Sequence, residues 1–116
     1  MNRPEARNDK PPDIDLGEGH RLWFYCWIPD RELNPQYAAL PDVERAGAIV
    51  EHPRADGQGG FCMSGITLDN EVTRQLWPDD ARWQVVSMEP LTLTPSLLCR
   101  VCQDHGFIRE SKWVRA

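Results

Sequence analysis

Two of the four cysteines lie three positions apart near the C-terminus, in Cys99-Arg-Val-Cys102-Gln-Asp-His105-Gly106. Two thiols at this spacing can bind one metal ion from a tight turn, and a histidine three residues later can supply a third ligand to tetrahedral zinc. A structural zinc site needs four ligands, so one more must come from elsewhere in the chain. We predict a structural zinc ion at Cys99, Cys102 and His105. Cys26 is the preferred fourth ligand, because a thiolate in an aromatic strand needs a metal to neutralise it.

Several other readings of these residues stay open. The fourth ligand can instead be Cys62, His20, His52 or Asp104. Without a metal, Cys26 and Cys99 are small apolar core residues and His105 caps a turn. A redox pair is disfavoured because Cys99 and Cys102 follow a predicted strand rather than opening a helix, where the thiol pKa would fall. A hydrolase built on Cys102, His105 and Asp104 is disfavoured because sequence neighbours rarely point at one another.

Short strands are predicted to position these residues. Residues 21–28 are rich in strand-favouring aromatics and end at Pro29, which predicts a central strand with two apolar faces. One short helix is predicted over residues 70–77, capped by Asp69 and ended by Pro78. The other predicted strands are 46–52, 61–68, 82–88, 91–94, 97–101 and a C-terminal hairpin of 107–109 with 112–114.

Length and composition predict one small domain. The chain has 116 residues, ten of them proline, so long helices and long uninterrupted strands are disfavoured. Aliphatic residues are few, and we expect the five tryptophans to supply much of the core. The predicted fold is mainly β: a twisted antiparallel sheet of five to seven short strands with one short helix, stapled by zinc. Residues 20–116 form this domain, and the charged residues 1–19 form a flexible arm.

Charge and hydropathy narrow the classes of function. The net charge of −5 disfavours nucleic acid and anionic membranes as partners. No apolar run is long enough to span a membrane, and the N-terminus has no apolar stretch typical of a signal peptide, so we expect a cytoplasmic protein. In that compartment the cysteines are expected to be thiols or metal ligands rather than disulfides.

Two stretches have distinctive sequences: residues 19–26 are Gly-His-Arg-Leu-Trp-Phe-Tyr-Cys, and residues 92–109 run from Thr-Leu-Thr-Pro-Ser-Leu-Leu-Cys to Asp-His-Gly-Phe-Ile-Arg. They resemble a family of small actinobacteriophage proteins of uncharacterised function, particularly those of mycobacteriophages. The resemblance implies Cys26, Cys102 and His105 as metal ligands, with Cys99 as an additional thiol. Many relatives have Cys-Pro-x-Cys at the first cysteine, whereas Trp27 to Asp30 supply no second thiol here.

The resemblance implies no activity, so the functional prediction is one of broad class. We expect a phage-encoded, non-enzymatic binding module that acts on a host protein in the host cytoplasm, with a phage protein as the other possible partner. The alternatives are a minor component of the virion and a metal-dependent enzyme. In the binding-module hypothesis, recognition lies in the long loops at 29–45 and 53–60, with Arg31, Tyr37 and Arg54 as contact residues.

Overall fold

The computed structural model describes residues 10–116, which contain nine short strands and one short α-helix. The helix, α1, spans Glu71–Leu76, and Pro35–Tyr37 form a single 3-10 turn. The strands are β1 (Ile14–Gly17), β2 (His20–Trp27), β3 (Val43–Pro53), β4 (Phe61–Leu68), β5 (Arg82–Met88), β6 (Leu91–Thr94), β7 (Leu97–Leu98), β8 (His105–Arg109) and β9 (Lys112–Arg115).

These strands form two sheets. Strands β1 to β6 make a curled six-stranded sheet in chain order, and β7 to β9 make a three-stranded sheet. The prediction of a mainly β fold with one short helix is confirmed. The larger sheet is mixed rather than wholly antiparallel, because β4 and β5 run parallel. Helix α1 lies between these two strands in the chain and provides the crossover connection that parallel strands need.

The main core lies where the two sheets meet. Leu22, Val50 and Ile66 from the larger sheet share one buried cluster with Ile108 and Trp113 from the smaller one. Trp113 is the one aromatic residue among the buried members of this cluster, which are otherwise aliphatic. Trp23 is also buried and Trp83 packs against the cluster, so tryptophans contribute to the core as expected, although aliphatic residues form most of it. Alternation along short strands instead directs the few aliphatic side chains inward.

Asn70, rather than the predicted Asp69, caps helix α1. The Asn70 side chain accepts a hydrogen bond from the Thr73 backbone N–H at 2.8 Å, and Thr73 Oγ1 accepts one from the Asn70 N–H at 3.1 Å. Asp69 instead pairs with the Arg74 side chain at 2.8 Å. This reciprocal cap and the side-chain pair hold a helix too short to be stable alone.

Part of the segment predicted as a flexible arm is a strand. Residues 14–17 form β1, which pairs with β2, and Leu16 is buried in the main core. Two isolated aliphatic residues gave too weak a pattern to indicate this strand, although a single buried leucine helps to hold it on the sheet edge. The arm prediction for residues 1–9 lies outside the described residues. No helix among residues 10–116 has the length and apolarity needed to cross a membrane.

A tight turn joins β8 to β9. Glu110 and Ser111 both have positive φ, as the two central residues of a type I′ turn do. Strand β6 holds this turn from the larger sheet: the Leu91 N–H donates to Ser111 Oγ at 2.9 Å, and the Ser111 N–H donates to the Leu91 carbonyl at 2.8 Å. The smaller sheet is thus fixed on the larger one at its turn end.

Candidate metal centre

Four metal-binding side chains meet in the interior. One ligand atom from each of His52, Cys62, Cys99 and Cys102 lies within 4.8 Å of the other three, and all four residues are buried. All four cysteines of the chain are free of disulfide bonds. Three sulfur atoms and one imidazole nitrogen are a donor set that fits tetrahedral zinc.

Strand pairing brings the first two members together. His52 near the end of β3 lies directly opposite Cys62 near the start of β4, across the loop of residues 54–60. Side chains of directly opposed residues project from the same face of the sheet, about 5 Å apart at Cβ. Val50 and Ile66 on that face belong to the main core, so the His52 and Cys62 side chains point toward the smaller sheet.

A turn between β7 and β8 supplies the other two members. The Cys99 N–H donates to the Asp104 carbonyl at 2.8 Å, and the Gln103 N–H donates to the Cys99 carbonyl at 2.7 Å. Gln103 has a φ of 70°, which lets the chain reverse and enter β8. The closed turn holds the Cys99 and Cys102 sulfur atoms on one side, facing the hairpin of β3 and β4.

The turn also lowers the pKa of Cys99. Burial by itself would raise the pKa of this thiol, but hydrogen bonds from the backbone N–H groups of Cys102 and Val101 and from His52 favour the thiolate and lower the pKa to about 6. Burial, together with the neighbouring sulfur of Cys102, raises the pKa of Cys62 to about 11. Without a cation the group therefore holds a thiolate at Cys99 and a protonated thiol at Cys62 near neutral pH. A divalent cation would displace the remaining protons.

A second layer of buried groups surrounds these residues. The His20 ring stacks on Trp113 with ring centroids 4.1 Å apart, and on His52 at 5.6 Å. His20 Nδ1 donates to the Glu18 carbonyl at 2.9 Å, and Nε2 lies 2.7 Å from the buried carboxylate of Asp104. Asp104 belongs to the turn that carries Cys99, so His20 links β2 to that turn. Such partners orient metal ligands in many proteins.

The structure brings together two of the four residues predicted as ligands, Cys99 and Cys102. Cys26 lies apart from them, exposed at a bulge where the pairing register of β2 and β3 shifts. His105 is exposed on β8, where its Nε2 lies 2.9 Å from Ser96 Oγ. Strand alternation explains its position, since the adjacent Gly106 is the buried residue and His105 projects from the opposite face.

His52 and Cys62 take the places that the sequence interpretation gave to His105 and Cys26. The chain contained an indication of this pairing. Both residues flank the glycine-rich loop that joins two predicted strands, and a hairpin places the residues beside its loop opposite each other. The sequence interpretation preferred Cys26 because a thiolate in the aromatic strand would need a metal, and it kept Cys62 and His52 as alternatives for the fourth ligand.

Comparisons with known proteins add no relative. No protein-family model, curated protein or solved structure matches this chain.

Proposed function

We propose that His52, Cys62, Cys99 and Cys102 bind one structural zinc ion, and that the protein is a zinc-stapled, non-enzymatic binding module. The observation that carries the proposal is the convergence of three sulfur atoms and one imidazole within 4.8 Å in a buried site. Soft thiolate ligands with one imidazole favour zinc over the hard cations magnesium and calcium.

A structural role fits this ligand set better than a catalytic one. Four protein donors complete the tetrahedron, whereas catalytic zinc sites keep one position for water or substrate. Two donors come from the β3–β4 hairpin and two from the turn between β7 and β8, so one ion would join the two sheets. Binding of an ion to the folded state alone adds directly to the free energy of unfolding.

Metal analysis of matched variants tests this zinc site. Protein purified without a histidine tag is expected to carry about one equivalent of zinc, as one four-ligand site requires. Cys102→Ser should lose the metal, and Cys26→Ser should keep it, because Cys26 is exposed and outside the group. The pair His52→Ala and His105→Ala makes the same comparison for imidazole. Retention of zinc by Cys102→Ser, or its loss from Cys26→Ser, would contradict the assignment.

For the binding role, the proposed partner is a host protein, in line with the resemblance to actinobacteriophage proteins. The loop after β2 supports this role because it is braced from within: Arg31 donates to the Leu40 carbonyl at 2.6 Å and pairs with Asp42 at 2.8 Å. Tyr37 packs edge-on against Trp27. Leu33 is left 79% exposed, so a rigid loop presents an apolar side chain to solvent.

The loop's role can be tested with a matched pair of exposed apolar residues. Arg31 and Tyr37 brace the loop, so the first choice of variant is Leu33→Asp. Its control is Val86→Asp on β5, where the side chain is 66% exposed. In a pull-down from mycobacterial lysate, Leu33→Asp should lose a partner that the parent protein and Val86→Asp retain. Capture of nothing by the parent, or stoichiometric presence of the protein in purified phage particles, would count against the binding-module proposal.

A further inference from the structure

The smaller sheet has one face that the rest of the described chain does not cover. Ile108 on β8 and Trp113 on β9 point into the main core, so their neighbours along each strand point away from it. By register, Phe107 lies opposite Val114 and Arg109 opposite Lys112. We call this the outer face; its residues are Leu98, His105, Phe107, Arg109, Lys112 and Val114.

The outer face carries uncompensated positive charge. The Arg109 guanidinium lies over the Phe107 ring, 4.1 Å from its centroid, and neither Arg109 nor Lys112 has a carboxylate partner among residues 10–116. Arg100, exposed in the turn that leads from β7 to β8, also has none. Most other arginines of the described chain, Arg115 among them, pair with Asp or Glu.

Charge is divided unevenly along the chain. Residues 97–116 hold four of the 13 Lys and Arg but only two of the 18 Asp and Glu, so their net charge is +2. The remaining residues hold nine Lys and Arg and 16 Asp and Glu, which gives them a net charge of −7. Of the two carboxylates in residues 97–116, Asp104 is buried against His20, and Glu110 is exposed in the turn between β8 and β9. The C-terminal sheet is therefore a local cationic surface on an acidic protein.

Apolar side chains lie beside these cations. Leu98 is 51% exposed and is paired with His105, and Val114 is 36% exposed. Val101 is 67% exposed and lies in the turn between β7 and β8, at the same end of the sheet as Leu98. Exposed aliphatic groups rimmed by charge are typical of protein-binding surfaces.

We propose that the outer face binds an acidic segment of a partner protein that also carries apolar side chains. The partner's carboxylates would pair with Arg109 and Lys112, and its apolar side chains would cover Leu98 and Val114. A nucleic acid strand fits less well, because a polyanion longer than this small sheet would run over the acidic remainder of the protein. This surface is separate from the loop after β2, so the outer-face proposal does not depend on the proposed role of that loop.

A binding titration with defined probes tests the outer face. The probe is a short fluorescein-labelled peptide of Glu, Asp and Leu, titrated with the full zinc-loaded chain and followed by fluorescence anisotropy. The comparison probes are a peptide with Lys in place of each acid and a labelled oligothymidylate. We expect the acidic peptide alone to bind, and its affinity to fall as salt screens the charges.

Two double variants with equal net charge separate the face from overall charge. Arg109→Glu with Lys112→Glu reverses the outer face, and Lys10→Glu with Arg45→Glu reverses two exposed cations elsewhere. The first should weaken peptide binding at least tenfold and the second less than threefold. Leu98→Ser should weaken binding without changing its salt dependence.

Three results would overturn the inference: no binding of the acidic peptide, equal loss in both double variants, or tighter binding of oligothymidylate. Self-association that Arg109→Glu with Lys112→Glu abolishes would also overturn it, by making a second copy the occupant. Zinc content and thermal midpoint are measured on every variant. If the protein still binds one zinc ion but does not bind the peptide, the outer-face proposal is contradicted and the zinc-site proposal is not.

Discussion

Replacement of His20 tests whether the buried network behind the candidate metal centre stabilises the fold. His20 is 3% exposed and its Nε2 lies 2.7 Å from Asp104, which is 9% exposed. In His20→Ala the buried Asp104 carboxyl group loses its hydrogen-bond partner, which costs about 1–3 kcal/mol for a buried polar group left unsatisfied. Loss of the hydrogen bond to the Glu18 carbonyl and of the stack on Trp113 lowers the free energy of unfolding further.

Urea unfolding at neutral pH, with zinc present, measures this cost. His20→Phe separates the two parts, since it keeps a ring between Trp113 and His52 but removes the partner of Asp104. Asp104→Asn and the double variant with His20→Ala complete a cycle whose coupling energy should be about 1.5–3 kcal/mol. If His20→Ala does not fold, Asp104→Asn alone carries the test. A loss below about 1 kcal/mol in His20→Ala, or a coupling near zero, would refute the reasoning.

Two further predictions follow from packing and from the thiols. Gly106→Ala should lower the free energy of unfolding by about 1–3 kcal/mol in the same assay, because a Cβ there would lie 2.5 Å from the Trp113 ring; Gly65→Ala, where nothing lies within 4 Å, is the control. Equal losses in the two variants would contradict this. In metal-free protein, the lowered pKa of Cys99 adds to the free energy of unfolding fully above pH 9, and this contribution is lost as the pH falls toward 6. The raised pKa of Cys62 adds to the free energy of unfolding below pH 9, and this contribution is lost as the pH rises toward 11. Urea midpoints of chelator-treated protein should therefore peak near pH 9, and a profile that is flat from 6 to 11 would contradict the assignment.

Much of the fold could be predicted from the sequence because short strands leave a local pattern. The strands at Phe61–Leu68, Arg82–Met88 and Leu91–Thr94 have their predicted bounds. The parallel pairing of β4 and β5 could not be predicted in the same way. The helix predicted between these two strands is compatible with a crossover connection, but it does not by itself decide that the strands pair in parallel.

The candidate metal centre was half predictable for a related reason. Cys99 and Cys102 are neighbours in sequence, so their spacing alone indicates a shared site. His52 and Cys62 meet only because β3 and β4 pair with a particular register across their loop. A bulge in β2 turns Cys26 toward solvent, and a bulge is a one-residue irregularity that hydrophobic periodicity does not reveal.

X-ray absorption at the zinc edge, on protein purified without a histidine tag, tests the central claim most directly. The proposed site predicts a first shell of three sulfur atoms at about 2.3 Å and one nitrogen at about 2.0 Å. It also predicts that Cys62→Ser removes one sulfur or the metal itself, while Cys26→Ser leaves the spectrum unchanged. A shell dominated by oxygen or nitrogen, or protein that binds no zinc while its four thiols react freely in the native state, would contradict the account.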